Sequence, residues 1–340
     1  MAPRHRGLAL TLGLLFGILA GELFLRVSGL APPLSQPMRL FGPDSSLPFR
    51  LRPLARSTAS TPEYTVHYQH NGLGFRDREH QQVKQPGTFR ILGLGDSFTY
   101  GIGVELDATW LSRLEQELNA RSGRHPVVEV VRAGIPRFWP EAESALLERY
   151  GALFQPDLVI VGILPNDVID TYLGFQAVTA NQSGFLQDRD AKVLGSAGRL
   201  LYRYSHLGRL LLRAWLDRRN RQPPDDQVFV DGGRLEAAWQ KMEHDLARMA
   251  ASASGLGARL VILHIPQRGP WSNRARYLPE RFSRWSAAQH IEFLDALPAM
   301  HGQPDPAALY YRSDGHCTPA GHAILADTML KFLESRRLLP

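Results

Sequence analysis

The sequence predicts an α/β fold in which a central parallel sheet carries helices on both faces, preceded by a transmembrane helix. From residue 90 onwards, short apolar or β-branched runs alternate with amphipathic segments, a pattern typical of parallel strands joined by crossover helices. The N-terminus carries two arginines followed by a long apolar segment. With 340 residues, of which 44% are hydrophobic and 21% charged, the chain can bury a sizeable core.

The N-terminal segment has the charge pattern of a signal anchor. Arg4 and Arg6 precede an apolar stretch, residues 7–25, that is interrupted only by Glu22. This stretch is long enough for a membrane-spanning helix, which needs about 20 residues. We expect Glu22 near the outer interface, where a carboxylate costs less than at the bilayer centre. The positive-inside rule places the N-terminus in the cytoplasm and the rest of the chain on the other side.

An uncleaved anchor is favoured over a cleaved signal peptide. Residues 29–31 carry small side chains at the spacing of a cleavage site, but Pro32 follows them and would hinder cleavage. We therefore expect residues 1–30 to form the anchor, with secretion after cleavage as the alternative.

A linker and a small hairpin are expected ahead of the main domain. Residues 31–63 are rich in Pro, Ser and Arg and show little periodicity, which predicts a linker. Residues 64–68 are β-prone and lead into the tight-turn dipeptide Asn71-Gly72, so a hairpin completed by residues 73–76 is expected. The main domain then extends over residues 64–338.

Strands and helices alternate in the main domain. The strands are predicted at residues 91–94, 127–131, 158–163, 259–265 and 291–294. The helices are predicted to begin near Asp107 as N-cap, at Pro140 as first helical residue, at residue 235 and at residue 320. Ligands of such sheets bind at the carboxyl ends of the strands.

An insertion near residues 171–232 does not fit the alternation. Within it, residues 200–221 form a basic, leucine-rich helix. This composition is typical of a solvated helix that packs its leucines on the domain. The alternative is a lid, or a face that touches anionic lipid headgroups.

Charge and cysteine content limit the possible partners. The net charge of +6 favours an acidic partner such as anionic lipid or glycan, but the chain has no zinc-finger, helix-turn-helix or basic-aromatic pattern, so nucleic acid is not expected. Cys317 is the single cysteine, which excludes an intramolecular disulfide and a cysteine-based zinc site.

A candidate nucleophile lies at the first strand-to-helix turn. Ser97 follows Gly95-Asp96 directly after the strand, at the ligand edge of the sheet. A serine hydroxyl needs a base to remove its proton, and His316 stands on a loop before the last helix. Asp314 can orient this histidine and stabilise its imidazolium form.

Donors for a developing oxyanion are expected at the same edge. Gly134 follows the second strand and Asn166 the third. The backbone N–H groups of Ser97 and Gly134 and the side-chain amide of Asn166 could surround one oxygen. Asp96 and Asp167 are expected to hold the two loops through hydrogen bonds to backbone amides.

These residues resemble the ordered blocks of the SGNH (GDSL-type) hydrolases. The stretch of residues 95–101, GDSFTYG, looks like block I, Gly134 is similar to the block II glycine, and Asn166-Asp167 to the block III pair. Asp314 and His316 resemble the block V acid and base. The resemblance implies a three-layer α/β/α flavodoxin-like fold with a parallel sheet, and a reaction without metal or other cofactor.

The segment of residues 71–76 resembles the one that often precedes the catalytic block in extracytoplasmic bacterial members. This predicts a bacterial inner-membrane protein with its catalytic domain in the periplasm. Two positions depart from the family pattern. Arg132 stands where block II usually has asparagine, and the acid and base are spaced Asp-x-His instead of Asp-x-x-His.

The resemblance implies ester or acyl-group chemistry on a small ester or an acylated glycan. We expect a serine esterase that removes O-acetyl or other short acyl groups through an acyl-enzyme. An O-acyltransferase of cell-surface glycan shares the first half-reaction. A non-catalytic glycan-binding or assembly protein on the same fold is a third possibility. An α/β-hydrolase is disfavoured because Gly-x-Ser-x-Gly is absent from the sequence.

Overall fold

Strands and helices follow one another along the chain much as the alternating pattern predicts. The strands are β1 (Phe41–Gly42), β2 (Arg50–Leu51), β3 (Arg56–Ser60), β4 (Thr65–Gln69), β5 (Thr88–Leu94), β6 (Val127–Arg132), β7 (Leu158–Ile163), β8 (Val178–Ala180), β9 (Leu186–Asp188), β10 (Arg259–His264) and β11 (Glu292–Asp295). The helices are α1 (Pro3–Ser28), α2 (Ser97–Tyr100), α3 (Trp110–Ser122), α4 (Pro140–Phe154), α5 (Pro165–Leu173), α6 (Gly195–Tyr204), α7 (His206–Arg219), α8 (Glu236–Gly255), α9 (Asn273–Ala288), α10 (Leu297–His301) and α11 (Pro319–Ser335).

The computed structural model describes residues 3–28, 39–122, 126–174, 178–188, 195–219, 236–268 and 273–340. The chain divides into two compact units. The smaller consists of residues 1–37 and 187–224, and the larger of residues 38–186 and 225–340.

A five-stranded parallel sheet forms the centre of the larger unit. Its strand order is β11-β10-β7-β5-β6. Strand β5 pairs with β6 on one side, where Ile91 lies opposite Val130, and with β7 on the other, where Ile91 lies opposite Leu158. The chain therefore moves outward from β5 in both directions, and the loop after β5 lies at the point where the strand order reverses.

Helices cover both faces of this sheet and confirm the predicted α/β fold. Every side chain of β7 is buried, as its continuous apolar run predicts. One face packs with α4 and α8, through residues such as Leu146 and Trp239. The other packs with α3 and α11, through residues such as Trp110 and Met329. The architecture therefore has three layers, helices on sheet on helices.

The linker prediction is wrong for residues 39–63, because this segment packs into the larger unit. Leu40, Phe41, Phe49 and Leu51 are buried. The Phe49 ring lies edge-on to Phe138, with 5.2 Å between ring centroids. Strands β1 and β2 have two residues each, so their buried positions are too few to create a period in the sequence. Residues 31–38 of the proposed linker lie outside the described residues.

The predicted hairpin forms with a different partner. Strand β4 pairs antiparallel with β3, which precedes it, and not with residues 73–76. Asn71 still makes a turn, because its Oδ1 accepts hydrogen bonds from the N–H groups of Leu73 and Phe75. This side-chain turn satisfies the backbone locally, so no second strand follows it.

The start of α3 also differs from the prediction. Asp107 lies in a short 3₁₀ turn, and the α-helix begins at Trp110. Thr109 occupies the capping position, where its Oγ1 accepts a hydrogen bond from Ser112 N at 3.3 Å.

The smaller unit contains α1, α6 and α7. Residues 9–28 of α1 are long and apolar enough to cross a membrane. The single helix predicted at residues 200–221 is two helices, which meet at Ser205. Ser205 Oγ accepts a hydrogen bond from Gly208 N at 2.9 Å and so starts a new helix. Residues 220 and 221 lie outside the described residues.

Arg132, the departure from the family pattern, lies at the centre of a buried ionic network. Its guanidinium donates to Asp77 at 2.6 Å, to Glu115 at 2.5 Å and to Ser112 at 2.8 Å. Arg78 makes two further hydrogen bonds to Glu115. Burial disfavours ionisation of Glu115, but the bond from Arg78 and the charge of Arg132 outweigh it and lower the pKa of Glu115 to about 2.

Replacing Arg132 with methionine should destabilise the fold strongly, because Asp77 and Glu115 lose a buried counter-charge. Removing one partner of a buried ion pair costs about 3–5 kcal/mol. Arg121→Met is the matched control, since Arg121 pairs with Glu117 at the surface, where loss of the pair costs less than about 1 kcal/mol. Urea unfolding of both variants measures the difference. If Arg132→Met and Arg121→Met had equal unfolding free energies, the buried ionic network would not stabilise the fold as proposed.

Acid should remove the contribution of Glu115. Its pKa in the folded protein lies below that of the unfolded chain, so its stabilising effect is complete above about pH 4.5 and is lost as the pH falls towards 2. The difference in unfolding free energy between the wild type and Glu115→Gln should therefore shrink across this window. A difference that stays constant with pH would contradict the assignment.

Candidate active site

The turn after β5 is built around Gly95 and Asp96. Gly95 has φ +146°, and a Cβ on it would lie 2.2 Å from Thr99 Oγ1, so only glycine fits there. Asp96 caps α2, because its Oδ1 accepts a hydrogen bond from Phe98 N at 2.9 Å. This places Ser97 as the first residue of α2, at the carboxyl edge of the sheet.

The structure brings the three proposed catalytic side chains together. His316 Nε2 lies 2.8 Å from Ser97 Oγ, and His316 Nδ1 contacts Asp314 Oδ1. The contact with Asp314 favours the proton on Nδ1, which leaves Nε2 as an acceptor for the serine proton. The carboxylate of Asp96 offers Ser97 Oγ only a longer alternative, at 3.3 Å. The Phe98 ring packs against the imidazole, with 4.8 Å between centroids.

Gly315 explains how the short Asp-x-His spacing works. It has φ +83°, a left-handed conformation that glycine adopts at low cost. Its N–H donates to Tyr311 O at 3.0 Å, which closes a tight turn. The turn folds Asp314 back onto His316 Nδ1. Burial disfavours ionisation of Asp314, but hydrogen bonds from His316 and Tyr64 prevail and lower its pKa.

Two residues that the sequence did not single out hold this loop. Tyr64 donates its hydroxyl proton to Asp314 Oδ2 at 2.7 Å. The Glu63 carboxylate accepts hydrogen bonds from the N–H groups of Arg312, Ser313 and Asp314 at 2.6–3.2 Å. Both belong to the turn between β3 and β4, which the sequence assigned to a linker end and a strand. No local signal could have identified them, because their partners lie about 250 residues away.

The Gly134 loop is fixed by its backbone. The N–H groups of Ala133 and Ile135 donate to Gly93 O and Gly95 O at 2.8 and 2.9 Å, which attaches the loop to the turn before Ser97. A Cβ on Gly134 would lie 2.5 Å from Tyr100 N, so glycine is required for this approach. Within the described part of the chain, the N–H groups of Ser97 and Gly134 donate to no protein acceptor.

Asn166 lies in the first turn of α5, at the carboxyl end of β7. Its Nδ2 donates to Asp170 Oδ2 at 3.3 Å, and its Oδ1 accepts from Gln267 Nε2 at 2.5 Å. The structure therefore holds the amide of Asn166 between two side chains and does not bring it into hydrogen-bond contact with Ser97.

Buried carboxyl groups lie beneath these loops. Asp167 Oδ2 accepts a hydrogen bond from Leu164 N at 2.8 Å and so caps α5. Burial raises the pKa of Asp96, and it raises the pKa values of Asp167 and Glu143 well above their ordinary range, because the carboxylates also repel one another. Glu143 is fully buried, and neither of its oxygens bonds to any described residue.

His322 and Cys317 have structural positions. His322 Nδ1 accepts a hydrogen bond from Trp110 N at 3.2 Å, and burial lowers the pKa of His322 to about 3. It therefore stays neutral and packs α11 against α3. Cys317 is fully buried, and burial raises the pKa of its thiol, so the thiol stays protonated.

Arg76 fastens the segment that follows Ser97. Its buried guanidinium donates to the carbonyl oxygens of Tyr100, Gly101 and Val104 at 2.6–3.1 Å. It also lies over the Tyr68 ring, 4.4 Å from the centroid. The segment of residues 71–76, which the sequence predicted as part of a hairpin and related to the family by resemblance, thus ends in an arginine that holds the loop after Ser97.

Comparison with known proteins places the chain in a family. The profile of the GDSL-like Lipase/Acylhydrolase family matches residues 94–324. No curated protein sequence matches. Solved structures with a similar fold include TesA, at 17% identity and a TM-score of 0.46, covering 74% of this chain and 99% of that one.

Two further similar structures carry enzyme names. One is a catalytic mutant of Axe2, an acetylxylan esterase from Geobacillus stearothermophilus, at 16% identity and a TM-score of 0.45, covering 74% of this chain and 96% of that one. The other is the lipase Lip_vut3 from a goat rumen metagenome, at 13% identity and a TM-score of 0.47, covering 72% and 97%. Because the family profile spans more than half of the sequence, this chain belongs to the GDSL-like Lipase/Acylhydrolase family and is a GDSL-type serine hydrolase.

Proposed function

We propose that the protein is an esterase that hydrolyses O-acetyl or other short acyl esters through a Ser97–His316–Asp314 site. The observation that supports this is the line of contacts from Ser97 Oγ to His316 Nε2, at 2.8 Å, and from His316 Nδ1 to Asp314. The arrangement joins a nucleophile, a base and a group that orients the base, which is what acyl transfer to a serine needs.

In the first half-reaction, Ser97 Oγ attacks the acyl carbon while His316 Nε2 takes the hydroxyl proton. Asp314 stabilises the resulting imidazolium without accepting its proton. The imidazolium then gives the proton to the alcohol oxygen as the ester bond breaks. The alcohol departs, and the acyl group remains on Ser97.

The tetrahedral intermediate carries a negative oxygen that needs donors. The N–H groups of Ser97 and Gly134, which have no protein acceptor in the described part of the chain, are proposed to bind it, together with the second N–H of Asn166. Such fixed donors contribute more to a developing charge than to the ground-state carbonyl. In the second half-reaction, His316 takes a proton from a water molecule as the water attacks the acyl carbon. The imidazolium then returns this proton to Ser97 Oγ as the bond between Oγ and the acyl carbon breaks, and the acid leaves.

We also propose that α1 anchors the chain in the bacterial inner membrane, with the hydrolase domain in the periplasm. Residues 9–28 could span a bilayer, and Arg4 and Arg6 on their N-terminal side favour a cytoplasmic N-terminus. The acylated substrate, a small ester or a glycan, would then be met outside the cytoplasm.

Replacing Ser97 with alanine should reduce turnover of p-nitrophenyl acetate by about 10⁴-fold or more, because the acyl-enzyme can no longer form. The unfolding free energy should change by less than about 1 kcal/mol, since the hydroxyl lies at a turn. Ser313→Ala is the matched control, because Ser313 is an exposed serine on the loop of His316. Full activity of Ser97→Ala, or equal losses in both variants, would contradict the proposal.

Replacing Tyr64 with phenylalanine should lower kcat about 3- to 10-fold and leave KM unchanged, because Asp314 loses one hydrogen bond that holds it against His316. Tyr311→Phe is the control. Its ring packs on Tyr64, but its hydroxyl donates to Gly103 O instead of Asp314. The same loss of kcat in both variants would show that loop packing, and not the bond to Asp314, matters.

A further inference from the structure

The helices α6 and α7, here called the helix pair, expose an apolar face. On α6, the exposed fractions are 59% for Leu200, 49% for Leu201 and 62% for Tyr204. On α7, they are 62% for Leu211 and 44% for Trp215. Leu200 and Tyr204, like Leu211 and Trp215, are four residues apart, so each pair lies on one side of its helix. Leu211 is one of the leucines that the sequence predicted to be packed, and for this residue the prediction is wrong.

The helix pair is bound to α1 by Glu22, the one carboxylate in the apolar stretch of residues 7–25. The Glu22 carboxylate accepts hydrogen bonds from His206 N and Leu207 N at 2.9 Å, and from Ser205 Oγ at 2.8 Å. It thus caps the N-terminus of α7, where unpaired N–H groups and the helix dipole favour a negative charge.

Arg26 binds the other helix of the pair. Its Nη2 donates to Tyr204 O, at the C-terminus of α6, at 2.9 Å, and its Nε donates to Glu22 at 2.8 Å. Glu22 and Arg26 of α1 therefore bond to backbone groups at both helix ends that meet at Ser205: Glu22 to N–H groups of α7, and Arg26 to a carbonyl of α6. This also explains how the apolar α1 accommodates two charges.

These bonds fix the depth of the helix pair relative to α1. Each helical residue rises about 1.5 Å, so Glu22 lies about 9 Å before Ser28, the end of the apolar span. When α1 crosses a bilayer, the junction at Ser205 then lies near the boundary between acyl chains and headgroups. Exposed leucines together with Tyr204 and Trp215 are the side chains expected at that depth.

We infer that the helix pair is a second membrane-binding element, which lies in the outer interface of the bilayer that α1 spans. The inference rests on the proposed anchoring by α1. The occupant of the apolar face is lipid, because the helix pair is bonded to α1, which is itself exposed and apolar enough to span a membrane. The sequence of residues 200–221 also carries five arginines besides the buried Arg209, a composition that favours anionic headgroups.

Site-directed spin labelling of the full chain in vesicles of phosphatidylethanolamine and phosphatidylglycerol tests the inference. Cys317 is fully buried, so the unsubstituted protein serves as the labelling blank. Single cysteines are introduced as Leu211→Cys on the helix pair, Phe16→Cys in the span and Val83→Cys at an exposed position of the larger unit. Collision of each nitroxide with oxygen, which partitions into lipid, and with a water-soluble nickel chelate is then measured.

We expect labels at 211 and 16 to collide with oxygen several times more often than with the chelate, and the label at 83 to show the reverse. Chelate access at 211 with lipid access at 16 would overturn the inference and leave the anchor intact. Chelate access at 16 would overturn the anchoring and the inference together. Low collision with both reagents at 211 would show a protein on this face, such as a second copy, and would also overturn it.

A second substitution tests the link to α1. Glu22→Ala removes the cap on α7, so the label at 211 should become more mobile and gain chelate access, while the label at 16 stays in lipid. Glu117→Ala, an exposed glutamate on α3, is the control and should leave both labels unchanged. An unchanged label at 211 in Glu22→Ala would show that Glu22 does not hold the helix pair in place.

Discussion

The reversal of strand order at β5 is the constraint on which the site depends. Because β6 pairs on one side of β5 and β7 on the other, the loops that follow these three strands meet at one edge of the sheet. Backbone bonds from the Gly134 loop to Gly93 and Gly95 then fix two of the loops to each other. Glycines at 95 and 134 permit this approach, since a Cβ at either position would overlap a neighbour. Ser97, the proposed nucleophile, is therefore positioned by backbone geometry before any side chain contributes.

Much of this arrangement could be predicted, because its signals are local. Apolar runs mark the strands, and short motifs mark the loops of Ser97 and His316. Tyr64 and Glu63 could not be predicted, because a hydroxyl and a carboxylate become informative only once folding brings them to residues 312–314. The same limit explains why residues 39–63 were wrongly predicted to be a linker. Two-residue strands bury Phe41 and Leu51 without creating a period, so only tertiary contacts reveal that they belong to the core.

Two buried arginines, Arg76 and Arg132, hold segments of the larger unit in place through hydrogen bonds and ion pairs. Arg76 donates to three carbonyl oxygens of the segment after Ser97, so a loop without regular structure gains fixed partners. Arg132 occupies the position where the family pattern has asparagine, and it is held by Asp77 and Glu115 instead. The cost of burying these charges is offset only while every partner is present. Both arginines thus connect residues 64–80 to the loops of the proposed site.

The separation between Ser97 and His316 has a consequence for the order in which the protein is made. The two residues are 219 positions apart in the sequence. A ribosome therefore adds Ser97 and its turn to the chain long before it adds His316. A nascent chain, or one truncated before residue 316, contains Ser97 without the histidine that is proposed to activate it. The proposed hydrolytic activity consequently requires synthesis to pass residue 316, so shorter chains are expected to be inactive.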